Sequence, residues 1–155
     1  MNFTSKTAVF LATGFYIGKI PFAPGTFGSL IGLPLCFVLA GIQLSAAIVA
    51  ALILILLAIW ISGAAAKTLK RKDPGCIVID EIAGMVVTFI GLPFTLTTAV
   101  CGFILFRILD ILKPFPIRSL DQRLSGGLGI VADDVAAGIY ANAIVRISLL
   151  ISGSL

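Results

Sequence analysis

Charged residues are absent from Ile20 to Ala66 and again from Ile82 to Phe106, and they crowd into the stretch between those two runs. Ala46 to Ala66 is long enough to cross a bilayer at about 1.5 Å per residue. The preceding run, Leu30 to Leu44, is shorter and interrupted by Pro34, so it is expected to be the partner in a helical hairpin turning near Gly41-Ile42-Gln43. Upstream, Ile20 to Ser29 carries two prolines and two glycines, which stop any helix there and leave Thr26 or Ser29 to cap the next one. In the second apolar region Gly91-Leu92-Pro93 marks a turn, leaving two passes of roughly fifteen residues each, short of the ~17–25 of a usual span. That hairpin is expected to tilt, to stay inside the bundle, or to dip in without crossing. The next helix runs into Arg107, Asp110 and Lys113 and ends at Pro114-Phe115-Pro116. A polar connector with Arg118, Asp121 and Arg123 then leads through Gly126-Gly127-Leu128-Gly129 to a last helix. That helix is expected from near Ile130, with Asp133 and Asp134 in its first turn. At the other end, Lys6 precedes an apolar run from Ala8 to Ile17 that resembles a signal peptide but lacks a small-x-small cleavage site. It reads as a retained, interfacial helix.

Composition turns this pattern into a class. The 155 residues are 59% hydrophobic and only 12% charged, with mean hydropathy +1.17. The expectation is one domain, residues 1–155: an all-α, small polytopic membrane helical bundle with about four to five membrane-embedded helices plus the N-terminal interfacial helix. A net charge of +4 without a polar surface around it suits an anionic membrane and not nucleic acid. The basic cluster Lys67, Lys70, Arg71, Lys72 belongs on the cytoplasmic side by the positive-inside rule. With that end cytoplasmic, Thr26, Asp80-Glu81, Arg107-Asp110-Lys113 and Asp133-Asp134 are all delivered to one membrane face.

Histidine is absent, which excludes imidazole bases, phosphohistidine and histidine-ligated zinc. The three cysteines lack metal-ligand spacing. Cys101 to Arg107 matches the Cys-x5-Arg spacing of cysteine phosphatases, but bulky apolar residues between them cannot form an amide cradle, and burial disfavours a thiolate.

The acids remain. Asp80 and Glu81 open an apolar segment, where they serve either as a helix N-terminal cap or as ligands to a hard cation such as Mg²⁺. Arg107, Asp110 and Lys113 are three apart on one broad helix face, either a self-neutralised strip or a carboxylate ligand between two phosphate-binding cations. A second adjacent pair, Asp133-Asp134, strengthens the metal reading, because neighbouring carboxylates repel. The Pro24–Ser29 loop could hold a phosphate on its amides and the Thr26 hydroxyl, though it is not a Walker loop. A small ion-binding or transport protein with carboxylates lining a pathway is the competing reading.

Four blocks taken together are more specific. Pro24-Gly25-Thr26-x-Gly28-Ser29, Ile77-Val78-x-Asp80-Glu81-x-x-Gly84, Phe106-Arg107-x-x-Asp110-x-x-Lys113-Pro114-x-Pro116-Ile117-Arg118 and Gly126-Gly127-x-Gly129-Ile130-x-x-Asp133-Asp134-x-x-Ala137-Gly138 resemble the bacterial phosphatidylglycerophosphatase A family. The resemblance implies a Mg²⁺-dependent, multi-pass inner-membrane enzyme that hydrolyses phosphatidylglycerophosphate to phosphatidylglycerol and inorganic phosphate, with its active site facing the cytoplasm. It implies a catalytic set of Asp80, Glu81, Asp110, Asp134 and Thr26. The metal would rest on Asp80, Glu81, Asp110, Asp133 and Asp134, and the substrate phosphate on Thr26, Arg107, Lys113 and Arg118. Some relatives carry histidine just before the Asp-Glu block, where this chain has Arg71-Lys72-Asp73-Pro74. With no histidine, the nucleophile would be water or an aspartate, water being favoured. A CDP-alcohol phosphotransferase would need an Asp-Gly-x-x-Ala-Arg block, which is missing. The oligomeric state is left open.

Overall fold

Helix after helix, with no strand among the described residues, makes up the computed structural model, which describes residues 3–153. The order is α1 (Phe3–Ala12), a 3-10 turn (Ile17–Lys19), α2 (Pro24–Ala40), α3 (Leu44–Leu69), α4 (Ile79–Phe89), α5 (Leu96–Leu112), α6 (Ile117–Arg123) and α7 (Gly126–Ile151). The protein is a helical membrane bundle. Among the described residues, α3 and α7 are the two helices long and apolar enough to cross a membrane, and α2 is a shorter apolar helix. Leu52, Leu56 and Trp60 on α3 and Ile147 and Leu150 on α7 are exposed, an apolar exterior that water would penalise and hydrocarbon accepts.

Glycine contacts give the helix directions. Gly28 and Gly32 of α2 pack on Val78 and Met85, and Gly84 of α4 packs on the Asp134 backbone of α7, so α2, α4 and α7 run the same way. Gly102 of α5 meets Phe89 whereas Arg107 meets the α4 start, and Gly63 of α3 meets Gly127 whereas Leu44 meets Gly91, so α3 and α5 run opposite. A methyl group at Gly84 or Gly138 would collide with the facing backbone. Small residues here let α4 and α7 approach closely, the usual basis of helix association in lipid.

Several expectations change. Pro34 lies inside α2 without breaking it. The N-cap of α2 is Ala23, not Thr26 or Ser29, and the Ser29 hydroxyl instead donates to the Gly25 carbonyl at 2.8 Å. The connector after Pro116 is helical, as α6. The last helix begins at Gly126, four residues before the expected start, so Asp133 and Asp134 lie more than two turns inside it, beyond the reach of the helix dipole. Gly127 belongs to that helix because α3 leaves no room for a side chain: a Cβ there would run into the Ile59 carbonyl.

Two expectations gain detail. Helix α1 docks on α3, burying Ala8, Val9 and Ala12, and the Val78 amide donates to the Ala12 carbonyl at 2.8 Å. Helix α4 has 11 residues, about 16 Å of rise. At that length α4 alone is too short to cross a hydrocarbon core of about 30 Å.

Candidate active site

Helix α4 starts at the N-cap Val78, placing Asp80 and Glu81 in its first turn. The Glu81 amide donates to Asp80 Oδ1 at 3.1 Å, so Asp80 does part of a cap's work. It does not face water, however: Asp80 is 7% exposed and Asp134, across the α4–α7 contact, is 4% exposed. One oxygen from each of Asp80, Glu81 and Asp134 lies within 4.8 Å of the others. Two buried oxygens of this group, Glu81 Oε2 and Asp134 Oδ1, have no hydrogen-bond partner among the described residues. Buried carboxylate oxygens without donors are costly.

Around the three acids sit two cations, each already engaged. Arg107 Nη1 pairs with Asp110 at 2.5 Å and lies 3.9 Å from Glu81 Oε1, and its Nε is buried without a partner. Lys113, the C-cap of α5, bridges Asp133 at 2.5 Å and Asp121 of α6 at 3.1 Å. Asp110 and Asp133 therefore hold cations and stand beside the three-carboxylate group, close enough to act on Asp134 electrostatically. Thr26 is half-buried, next to Gly25, whose backbone is pressed against Glu81 and Arg107 so closely that a Cβ would overlap Glu81 Oε1. Arg118 is exposed on α6 and makes no ion pair among the described residues.

Burial pushes the Asp80 carboxyl up to about 6, with its hydrogen bonds to Glu81 pulling the other way. Burial first, then the Asp80 charge, raises Glu81 well above the usual carboxylate range. Burial lowers the Lys113 ammonium less than its bonds to Asp133 and Asp121 raise it, so it stays charged. Confined acids, two of them with unpartnered oxygens, Asp80, Glu81 and Asp134 are the residues that could hold a cation. The donor set is all hard oxygen, with no nitrogen or sulfur, which fits Mg²⁺ better than a softer metal.

Two contributions carried weak sequence signals. Gly25 was visible only as a loop glycine, although its missing side chain makes room for Glu81. Asn142 stands in none of the four sequence blocks, yet its amide donates to the Thr88 and Ile90 carbonyls, both at 2.9 Å, and closes the far end of α4.

A membrane helical bundle with a buried acidic cluster at the start of a short helix, with Arg107 and Lys113 nearby, is the class of protein that the fold and site define. The comparisons give it a family. The phosphatidylglycerophosphatase A family model matches residues 10–149, and the chain belongs to that family. It is 36% identical over 136 residues to phosphatidylglycerophosphatase A of Escherichia coli (strain K12), covering 87% of this chain and 79% of that one. Against the Haemophilus influenzae phosphatidylglycerophosphatase A it is 38% identical over 137 residues, covering 87% and 84%. A Bacteroides thetaiotaomicron protein, a putative phosphatidylinositol-3-phosphatase, is 34% identical over 164 residues, covering 99% of this chain and all of that one. No solved structure matches. The protein is thus a phosphatase, and the transport reading is not favoured.

Proposed function

We propose that the protein is a Mg²⁺-dependent lipid phosphatase that releases inorganic phosphate from phosphatidylglycerophosphate and leaves phosphatidylglycerol. The observation that carries this reading is the convergence of Asp80, Glu81 and Asp134 within 4.8 Å in a family member. These three would hold the cation, with Asp110 and Asp133 close by. When bound, Mg²⁺ would offset charge on the phosphate oxygens, where the transition state concentrates it.

The chain's own residues do the rest. Arg107, fixed by Asp110, offers its guanidinium to the phosphoryl oxygens. Lys113 adds charge as it exchanges Asp121 for the substrate, and Arg118 meets the outer headgroup. Thr26 contacts the phosphate from the start of α2. Water attacks phosphorus in line with the ester oxygen; an unpartnered carboxylate oxygen, Asp134 Oδ1 or Glu81 Oε2, takes the water proton, the P–O bond to glycerol breaks, and the carboxyl returns that proton to the glycerol oxygen, which leaves as the alcohol. The chain crosses the bacterial inner membrane several times, with this site toward the cytoplasm beside the basic cluster 67–72.

A second reading concerns the headgroup. The Bacteroides thetaiotaomicron relative matches along its whole length and bears a name that specifies an inositol phosphate. Purified protein in mixed micelles, offered phosphatidylglycerophosphate or phosphatidylinositol 3-phosphate, with Mg²⁺ or with chelator, separates the readings. Phosphate release from the first substrate, abolished by chelator, is expected. Turnover of the inositol lipid alone would transfer the function to it.

A further inference from the structure

The half of the bundle far from the acidic cluster holds one charged side chain among the described residues, Arg146 of α7. It lies about 30 Å along α7 from Gly126, roughly the thickness of a bilayer's hydrocarbon core. On the reading above it is on the non-cytoplasmic side, where basic residues are disfavoured. No carboxylate among the described residues pairs with it. Its Nη2 donates to the carbonyls of Ile90 and Gly91, both at 3.1 Å, and its Nε to Asn142 Oδ1 at 3.5 Å, while Nη1 has no partner among the described residues. A cation at this depth calls for an anion.

Beside it is a groove. The facing surfaces of α3 and α7 do not close on one another along the second half of α4, and the space between them is left unfilled. The result is a cavity of about 520 Å³ walled by Ile48 and Leu52 of α3, Val87 and Ile90 near the end of α4, and Ile139 of α7, with Arg146 at its border. Along α7 the groove runs from Val135 to Arg146, about 16 Å, comparable with an acyl chain in one leaflet. Apolar walls and a single cation with Nη1 unused match one amphiphile.

We propose that this groove is a phospholipid site distinct from the catalytic cluster: an acyl chain fills the space between α3 and α7, and the phosphate of an anionic phospholipid takes the free edge of Arg146. The bound lipid fills the packing left open between α3 and α7, and it neutralises the lone charge. The inference does not depend on which lipid phosphate the enzyme hydrolyses.

The test uses the purified full chain in neutral detergent, stripped of lipid and titrated with phosphatidylglycerol or phosphatidylcholine under native mass spectrometry, with thermal unfolding in parallel. Phosphatidylglycerol is expected to bind about fivefold tighter than phosphatidylcholine, the effect of one cation on an anionic headgroup, and to raise the unfolding temperature. Arg146→Gln should erase the preference and Arg146→Lys keep part of it. Ile139→Trp, which fills the groove and leaves Arg146 in place, should remove the tight site while turnover stays unchanged. Arg107→Gln, at the catalytic cluster, should leave binding intact. Equal affinity for the two lipids, or tight binding lost in Arg107→Gln and kept in Ile139→Trp, would overturn the proposal.

Discussion

The side-chain amide of Asn142 donates to the main-chain carbonyl of Ile90 at 2.9 Å, tying the last exposed carbonyl of a half-length helix to the long helix beside it. The same amide reaches Thr88 at 2.9 Å. In hydrocarbon no water replaces such donors, so Asn142→Leu should destabilise the protein by about 1–3 kcal/mol. Thermal unfolding in detergent checks this; an unchanged unfolding temperature would mean the α4 end needs no cap.

Asp80 and Asp134 share a space too small for unscreened charge. Asp80→Asn or Asp134→Asn should lower turnover at least about a hundredfold, as loss of a group that fixes transition-state charge does. In chelator the same variants should unfold no earlier than wild type, because one repulsive carboxylate is gone. Loss of activity caused by misfolding would show the reverse, a fall in unfolding temperature.

The pH dependence follows from Asp80. Its folded pKa is raised, from 3.8 to about 6, so the stability it contributes is present below its ordinary value and lost as pH rises through about 6. In chelator the unfolding temperature should therefore fall across that window. Added Mg²⁺, competing with the proton, should restore progressively more of it at higher pH. Calorimetry with and without Mg²⁺ reads both slopes, and a Mg²⁺ increment that is flat with pH contradicts the assignment.

Gly25 tests the tightness of the site. Gly25→Ala brings a Cβ against Glu81 Oε1 and within 3.0 Å of Arg107 Nη1. Turnover should drop while the fold survives, since α2 gains rather than loses helix propensity. Full activity in Gly25→Ala would show that Glu81 need not occupy its present position.

Lys113 is held by Asp121 as well as Asp133. Asp121→Asn frees one side of the ammonium, and because that pair is partly exposed, stability should change by less than about 1 kcal/mol. KM for the lipid should fall or stay level. A large rise in KM would assign Asp121 itself to substrate binding.

Much of this arrangement was legible in the chain. The turn at 41–43, the long span after it and the break at 91–93 follow from charge-free length and glycine or proline punctuation, and all three occur. The acids stood out because ionised groups are rare in so apolar a sequence. Less was legible where tertiary packing reverses a local signal. Gly126-Gly127-Leu128-Gly129 reads as loop by propensity, yet the close approach of the α3 backbone needs glycine inside a helix. Pro34 reads as a break, but α2 absorbs the missing donor. Spacing also could not divide the carboxylates between a metal and the cations: Asp110 and Asp133 face Arg107 and Lys113, and only three-dimensional contact reveals that.

The most direct measurement is Mg²⁺ binding to the purified protein, by isothermal titration, for wild type and Asp134→Asn alongside phosphate release from phosphatidylglycerophosphate. Saturable binding and Mg²⁺-dependent turnover that both collapse in the variant are predicted. Undiminished turnover in chelator, or in folded Asp134→Asn, would contradict the account.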